Sequence, residues 1–435
     1  MSGTDARTVA YVATTQYPEQ PAPPSTTGVL GWLRENLFSS VTNAILTLLS
    51  IAFLVFLLPG FFEWAVFQSV WNASSLTECR QIIQVAHGEG ADGACWAVIN
   101  ERFNQLMYGF YPIDKYWRPN VALIILIAAM IPVLFRSMRP LAYAMGVILA
   151  GKALFAVYAV ATGAPIAIFS SPTTYVAAAL LVAALVVGGP ARKNRWLILT
   201  FTYPFIAYFL LWGGIFLDSV PSTQFGGFLL TMVIGVTGIS FSLPIGILLA
   251  LGRQSKLPVL QIMCVTFIEF IRGVPLITLL FVASVLLNYL LPPGTEFDLI
   301  LRVLIMVTLF ASAYMAEVIR GGLAALPKGQ YEAADTLGLT YWQGMRLIVL
   351  PQALKISIPG IVNTFIGLFK DTTLVAIIAL FDPVGLFNPI RADSDWNGII
   401  WELYGFVALV FFICCWGMSQ YSQFLERRLR ASDRR

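Results

Sequence analysis

From Val41 to Phe62 the chain runs without a single charged side chain, the length of one bilayer-spanning helix of roughly 20 residues. Similar apolar runs recur to the C-terminus. Of 435 residues 58% are hydrophobic and 11% are charged, and mean hydropathy is +0.78. A soluble domain carries about 25% charge. The apolar supply is enough for about ten spans, so the sequence predicts an all-α integral membrane protein and excludes a soluble multidomain enzyme. One histidine, His87, excludes sites built from several imidazoles. Five scattered cysteines do not make a cluster, and no metal site is expected.

The spans are expected near Val41–Phe62, Asn120–Phe135, Leu141–Val160, Tyr175–Val187 and Trp196–Leu217 in the first half. In the second half they are Phe225–Leu251, Ile271–Leu291, Leu299–Val318, Ala353–Leu380 (interrupted by charge) and Ile399–Gln420. Residues 1–38 are rich in Pro, Thr and Ser and read as a disordered tail. No apolar core follows a basic start there, so no signal peptide is expected.

Charge in alternate loops sets an orientation. One set holds Arg136, Arg139, Arg192, Lys193, Arg195, Arg253, Lys256, Arg320, Lys328 and Arg346, with Arg427, Arg428 and Arg430 in the basic tail 426–435. The other holds Glu63, Glu78, Glu89, Asp92, Glu101 and Asp114, then Asp382, Asp393 and Asp395. Basic loops stay cytoplasmic, which places both termini in the cytoplasm and loop 63–118 outside. Cys79 and Cys95 lie in that loop. Either they close a disulfide worth about 3 kcal/mol, or they are free thiols in a packed loop.

Gly146–Ala153 nearly spells a phosphate loop but lacks the closing Ser or Thr and sits in an apolar span. Nucleotide binding is not expected there. Lys152 is left at membrane depth, where a charge is costly unless it faces the bundle.

The stretch between the eighth and ninth spans differs from the other loops. Pro327 and Gly329 open a short helix that Gly338 ends; a second, with Tyr341 and Trp342 on one face, stops before Pro351. Ala333 and Ala334 form a small knob able to seat in a groove, and Glu332 lies near the helix N-terminus, where the dipole favours negative charge. This is the build of a docking element.

Glu332-Ala333-Ala334, then Gly338, then Ile348, Leu350 and Pro351 match in spacing the signature of bacterial ABC-importer permeases. The chain also resembles the polar amino acid uptake class at Ile268–Leu276, Ala316–Gly322, Pro327–Gln330 and Lys370–Leu374. The resemblance covers about 225–425, half the chain, and implies a five-helix type I permease core over 221–425. It makes 318–351 the coupling loop, whose helix sits on a cytoplasmic ATPase. Residues 39–220 depart from the usual pattern; five extra spans and a long external loop resemble the larger permeases of general L-amino-acid systems.

Glu269, Arg272, Glu317, Lys370 and Asp371 lie in or at the ends of core spans, where charges are functional candidates or mutual pairs. Lys370-Asp371-Thr372-Thr373 sets two charges and two hydroxyls side by side. A free amino acid needs a partner of each sign, so Asp371, Thr372 and Thr373 are expected along the translocation path, with Lys370 orienting substrate or pairing with Glu317.

The expected function follows from the resemblance: a permease subunit of an ATP-driven amino acid importer in a bacterial inner membrane. Its partners would be the cytoplasmic ABC ATPase, a second permease and a periplasmic binding protein; nucleic acid is not expected. ATP and Mg²⁺ would belong to the ATPase, leaving this chain without cofactor or catalytic residue. An ion-driven secondary transporter is the alternative, but 1–220 holds no counterpart of the 330–373 region such as repeated halves provide. A membrane-embedded enzyme would need clustered acids or histidines, which are lacking.

Overall fold

A computed structural model describes residues 28–135, 139–162, 171–187, 193–214, 216–290, 292 and 297–433. Among them the regular structure is helical, with no strand. The chain divides into a unit of residues 1–70 and 80–94 and a larger one of 71–79 and 95–435.

The smaller unit opens with α1 (Gly28–Asn36) and α2 (Val41–Phe62). Part of the expected disordered tail is therefore helical: Val29, Trp32 and Leu33 interleave with Arg34 and Glu35 closely enough to sustain a turn. Residues 1–27 lie outside the described residues. Ser40 caps α2 by accepting the Asn43 N–H at 3.2 Å. No residue of α2 is buried.

The larger unit holds the remaining helices apart from residues 80–87 of the next one. Helix α3 (Leu76–His87), which begins there, and α4 (Ala97–Tyr108) fill the expected external loop. Then come α5 (Trp117–Leu134), α6 (Arg139–Thr162), α7 (Pro172–Val187) and α8 (Lys193–Trp212). Lys152 lies inside α6 and donates to Thr173 and, at 3.0 Å, to Thr174. Its charge faces hydroxyls at the start of α7, and the phosphate-loop lookalike is plain helix.

The second half runs through α9 (Gly227–Arg253), α10 (Pro258–Gly273), α11 (Leu276–Phe281), α12 (Leu287–Leu290), α13 (Leu299–Ala324), α14 (Gly329–Thr336), α15 (Tyr341–Gly344), α16 (Leu350–Asp371), α17 (Phe387–Ala392) and α18 (Trp401–Asp433). Helix α13 is the hub, packing on α9, α10 and α16. Close crossings need glycine: a Cβ on Gly246 would lie 2.7 Å from the Met315 side chain, and one on Gly322 would lie 2.6 Å from the Ala353 carbonyl oxygen.

Among the described residues seven helices are long and apolar enough to cross a membrane, and the count is eight if the α10–α11 pair, bent by 102°, is one span. Two more apolar helices, Pro172–Leu185 and Thr202–Trp212, are shorter. The expectation of ten spans is met only if the bent pair and both short helices cross. The span expected at Ile271–Leu291 is corrected. Its helix begins at Pro258 and breaks at Val274 and Pro275, because proline lacks an N–H and forces the preceding residue out of the α region. Nor does the basic tail form a separate segment, since α18 stays helical to Asp433.

Candidate functional site

The 326–351 loop forms a rigid platform. Helix α14 ends where Gly338 takes φ +68, and the N–H groups of Leu337, Gly338 and Leu339 close on Ala333, Asp335 and Ala334 carbonyls at 3.1, 2.9 and 3.2 Å. Only glycine adopts that backbone region without strain. Thr340 then caps α15 in a reciprocal box with Gln343. Leu326, Met345, Val349 and partly Tyr331 pack into one core with Ile319, Leu323 and Ala353 of α13 and α16. Gln352 Nε2 donates to Gln330 Oε1 at 2.9 Å, tying α14 to α16.

Two expectations for this loop are corrected. The alanine knob is split: Ala334 is buried, 3.3 Å from where a Gly344 Cβ would stand, whereas Ala333 is exposed. Adjacent helical residues point about 100° apart, so one face cannot hold both. The second helix also does not stop before Pro351. Helix α15 passes through a π turn, Met345–Val349, into α16, with Pro351 in the first turn of α16. Proline is tolerated there because its missing N–H is one the local ladder does not use.

Glu332, Ala333, Gly338 and Pro351 are exposed, and Ile348 and Leu350 are half-buried. Leu337 is 71% exposed, and Trp342 and Leu347 are each 65% exposed. Leu337 and Leu347 were missed by sequence reasoning. The signal for Leu347 was available, since Met345 and Val349 face the core and leave it on the opposite side.

Glu269, Arg272 and Glu317 come together with two residues not predicted beside them, Arg253 and Arg320. Arg253 reaches Glu269 at 2.8 Å and Glu317 at 3.3 Å; Arg272 lies 3.9 and 3.8 Å from the same carboxylates. Arg320 Nε donates to Glu317 at 2.9 Å, and the Arg272 guanidinium sits 5.6 Å from the Tyr314 ring centre. Three guanidinium groups share two carboxylates, joining the ends of α9 and α10 to α13. These residues therefore pair mutually.

Lys370 does not pair with Glu317. A Cβ on Gly360 would lie 2.7 Å from Val318, so Glu317 is level with the middle of α16. Lys370 is ten residues, or about 15 Å, farther along. Instead of interrupting the helix, the charged pair ends α16, and the chain tightens into a 3₁₀ turn at Thr372–Ile378. Thr372 is fully buried, its methyl 3.8 Å from where a Gly235 Cβ would stand. Its hydroxyl donates to Phe369 O at 2.7 Å, and Thr373 donates to Lys370 O at 2.8 Å. Lys370 is exposed, and Asp371 and Thr373 are half-buried.

At the opposite end of the core from the platform, Cys79 and Cys95 form a disulfide with Cα atoms 6.1 Å apart. The Cys95 N–H donates to the buried Glu402 carboxylate of α18 at 2.9 Å. Arg102 of α4 pairs with Asp393, so stretches 95–118 and 383–402 build one surface. The Asp395 N–H and the Arg102 guanidinium hold the Asp393 carboxyl below its ordinary range. Asp382 is buried and accepts the Gly385 N–H at 2.9 Å and the Val384 N–H at 3.2 Å. Burial outweighs those bonds and pushes its carboxyl up to about 6.

Comparison with known proteins gives this arrangement a family. Residues 242–431 match the binding-protein-dependent transport system inner membrane component. The glutamate/glutamine/aspartate/asparagine transport system permease protein BztC of Rhodobacter capsulatus is 51% identical over 435 residues, covering 98% of this chain and 99% of its own length. This chain belongs to the amino-acid ABC transporter permeases. YhdY, an inner membrane amino-acid ABC transporter permease protein of Escherichia coli, is 42% identical over 413 residues, 95% of this chain and 96% of its own. The probable glutamine ABC transporter permease GlnP of Bacillus subtilis is 33% identical and covers 46% of this chain and 91% of its own length. A solved amino acid ABC transporter described "with histidines" is 28% identical, covers 46% of this chain and 91% of its own, and superposes with a TM-score of 0.42. The permease is thus a multi-pass inner-membrane protein, a non-catalytic transporter subunit that works with an ATPase. BztC and YhdY match 98% and 95% of this chain, so the likeness to them runs through its first half as well.

Proposed function

We propose that this permease imports amino acids of the glutamate, glutamine, aspartate and asparagine class, forms half of the translocation path, and takes its motion from a separate ATPase docked on the 326–351 platform. The observation that carries the reading is the platform itself. Leu337, Trp342 and Leu347 stand exposed beside Glu332 on helices locked to α13 and α16. A partner that moves the platform must move both spans, as a two-state element biased by nucleotide requires.

In this reading the basic loops and both termini face the cytoplasm. A second permease completes the path, and a periplasmic binding protein delivers substrate to the surface built from 95–118 and 383–402. ATP and Mg²⁺ act on the ATPase, and this chain hydrolyses nothing. Lys370, Asp371 and Thr373 stand toward the path at membrane depth and offer one charge of each sign to a zwitterion. Thr372 packs behind them. Glu269, Arg272 and Glu317 hold the α9–α10–α13 junction through which the path opens.

The test is purification of the tagged chain from its native membrane in mild detergent, with mass spectrometry of what accompanies it. The expected result is an ATPase, a second permease of similar core, and loss of the ATPase with Gly338→Asp. Recovery of the chain alone with uptake intact would overturn the reading and promote an ion-driven transporter.

A further inference from the structure

Helices α5 and α8 of the extension meet α9 of the core along a seam that is tight at the Gly227 end. There Tyr111 donates to Leu211 O at 2.8 Å, the Trp212 and Phe225 rings lie 4.3 Å apart, and Tyr108 stacks on Tyr116 at 4.1 Å while donating to Asn120 at 2.9 Å. Deeper in, Leu126, Ala129 and Tyr203 touch Val236. Between these contacts the helices stand apart around a cavity of about 850 Å³.

Its walls are apolar: Leu126 from α5, Ala207 and Leu211 from α8, Met232, Val233 and Val236 from α9. It reaches from Phe228 to Phe241, about 20 Å along α9, or two-thirds of the hydrocarbon thickness of about 30 Å. Phe205, Phe241 and Leu123 on its rim are exposed, so it opens sideways between spanning helices, where the surroundings are acyl chains. Asp298, at the N-cap of α13, is among the described residues the one charged residue lining it, and Asn120 and Tyr108 join it at the same end. Apolar walls offer water too few partners to fill such a space, and an empty one forfeits packing on every side. A zwitterionic amino acid finds no cation partner for its carboxylate here.

We propose that this slot is a binding site for one phospholipid acyl chain, which enters from the leaflet at the Gly227 end and completes the packing between extension and core. The carboxylate and the amide lie at one end, and deeper in the neutral hydroxyl-bearing Tyr203, Thr237 and Ser240 interrupt the apolar lining: the chain lies along α9, and the headgroup stays near Asn120 and Asp298. An acidic mouth favours a headgroup carrying an ammonium. The lipid is then part of the extension–core joint rather than passing solvent. This assignment stands whether or not the substrate reading above is correct.

The experiment reconstitutes the full permease, with the subunits that accompany it, into vesicles of phosphatidylethanolamine and phosphatidylglycerol containing a phospholipid with a photoactivatable diazirine in its acyl chain. The protein is then extracted, washed in detergent, and only then irradiated, so that retained lipid alone labels it. Labelled peptides from α5, α8 and α9, with little label on α2, none of whose residues is buried, are expected. Val233→Trp and Val236→Trp, which fill the slot from one wall, should each lower the slot label at least fivefold. Wild-type label absent from the slot, or equal on α2, would overturn the proposal even if neither variant folds. Unchanged slot label in both folded variants would overturn it as well.

Discussion

Gly338 shows how one residue type carries a structural requirement. Its φ of +68 ends α14 and turns the chain toward α15, and nothing lies within 4 Å of a Cβ placed there. Gly338→Ala therefore acts through backbone strain alone, at about 1 kcal/mol for a left-handed L-residue. We expect the variant at normal membrane levels with ATPase capture reduced several-fold, read by quantitative pull-down. Asp382 makes a pH prediction. Its carboxyl, raised by burial from 3.8 to about 6, binds its proton more tightly folded than unfolded. Its destabilising ionisation is therefore absent below pH 4 and grows as pH rises through 6, to about 3 kcal/mol at pH 7. Thermal midpoints of the purified permease should fall across this window, and Asp382→Asn should remove that share of the slope. Arg102–Asp393 opposes it, because a lowered carboxyl adds stability that is lost as pH falls through its folded value.

Between elements, the packing of the core rests on how closely α13 approaches its neighbours. At Gly322 a Cβ would stand 2.0 Å from Ser357 Oγ and 2.6 Å from a backbone carbonyl. Gly322→Ala must push α13 from α16, costing about 1–3 kcal/mol as overpacking does. Adding Ser357→Ala should restore little of the thermal midpoint, because the carbonyl remains. Full rescue by the double variant would show that the side chain alone set the limit. Sequence spacing revealed the helices meeting here and the Glu-Ala-Ala helix beyond them. It misjudged Pro351, because a π turn that relieves a proline depends on packing around Met345 and Val349 that no local pattern records. It misjudged the alanine pair because burial within the chain's own fold competes with display to a partner.

On the scale of the whole molecule, the two ends are built by different means. The platform end is held by apolar packing and shared ion pairs, the other end by a covalent link and buried polar anchors. The Cys79–Cys95 bridge closes a 16-residue separation beside Glu402. Its removal by Cys79→Ser with Cys95→Ser should lower stability by about 3 kcal/mol. A fall in thermal midpoint matched by reductant on the wild type, with none by reductant on the double variant, is the expected pattern.

Apolar run length and scarcity of charge were enough to establish the helical membrane class, because a bilayer admits few other ways to satisfy a backbone. The spacing of Glu332 to Pro351 was enough to mark the short helix that Gly338 ends and the one that follows it, because short-range turn and cap chemistry is written in neighbouring residues. Contacts between distant residues were not legible. The sharing of Glu317 by Arg253, Arg272 and Arg320 depends on how α9, α10 and α13 are placed in space. So do the separation of Lys370 from Glu317 and the slot between extension and core. Charge pairing and packing act over a few ångströms, and residues up to hundreds of positions apart come that close only once the helices have assembled.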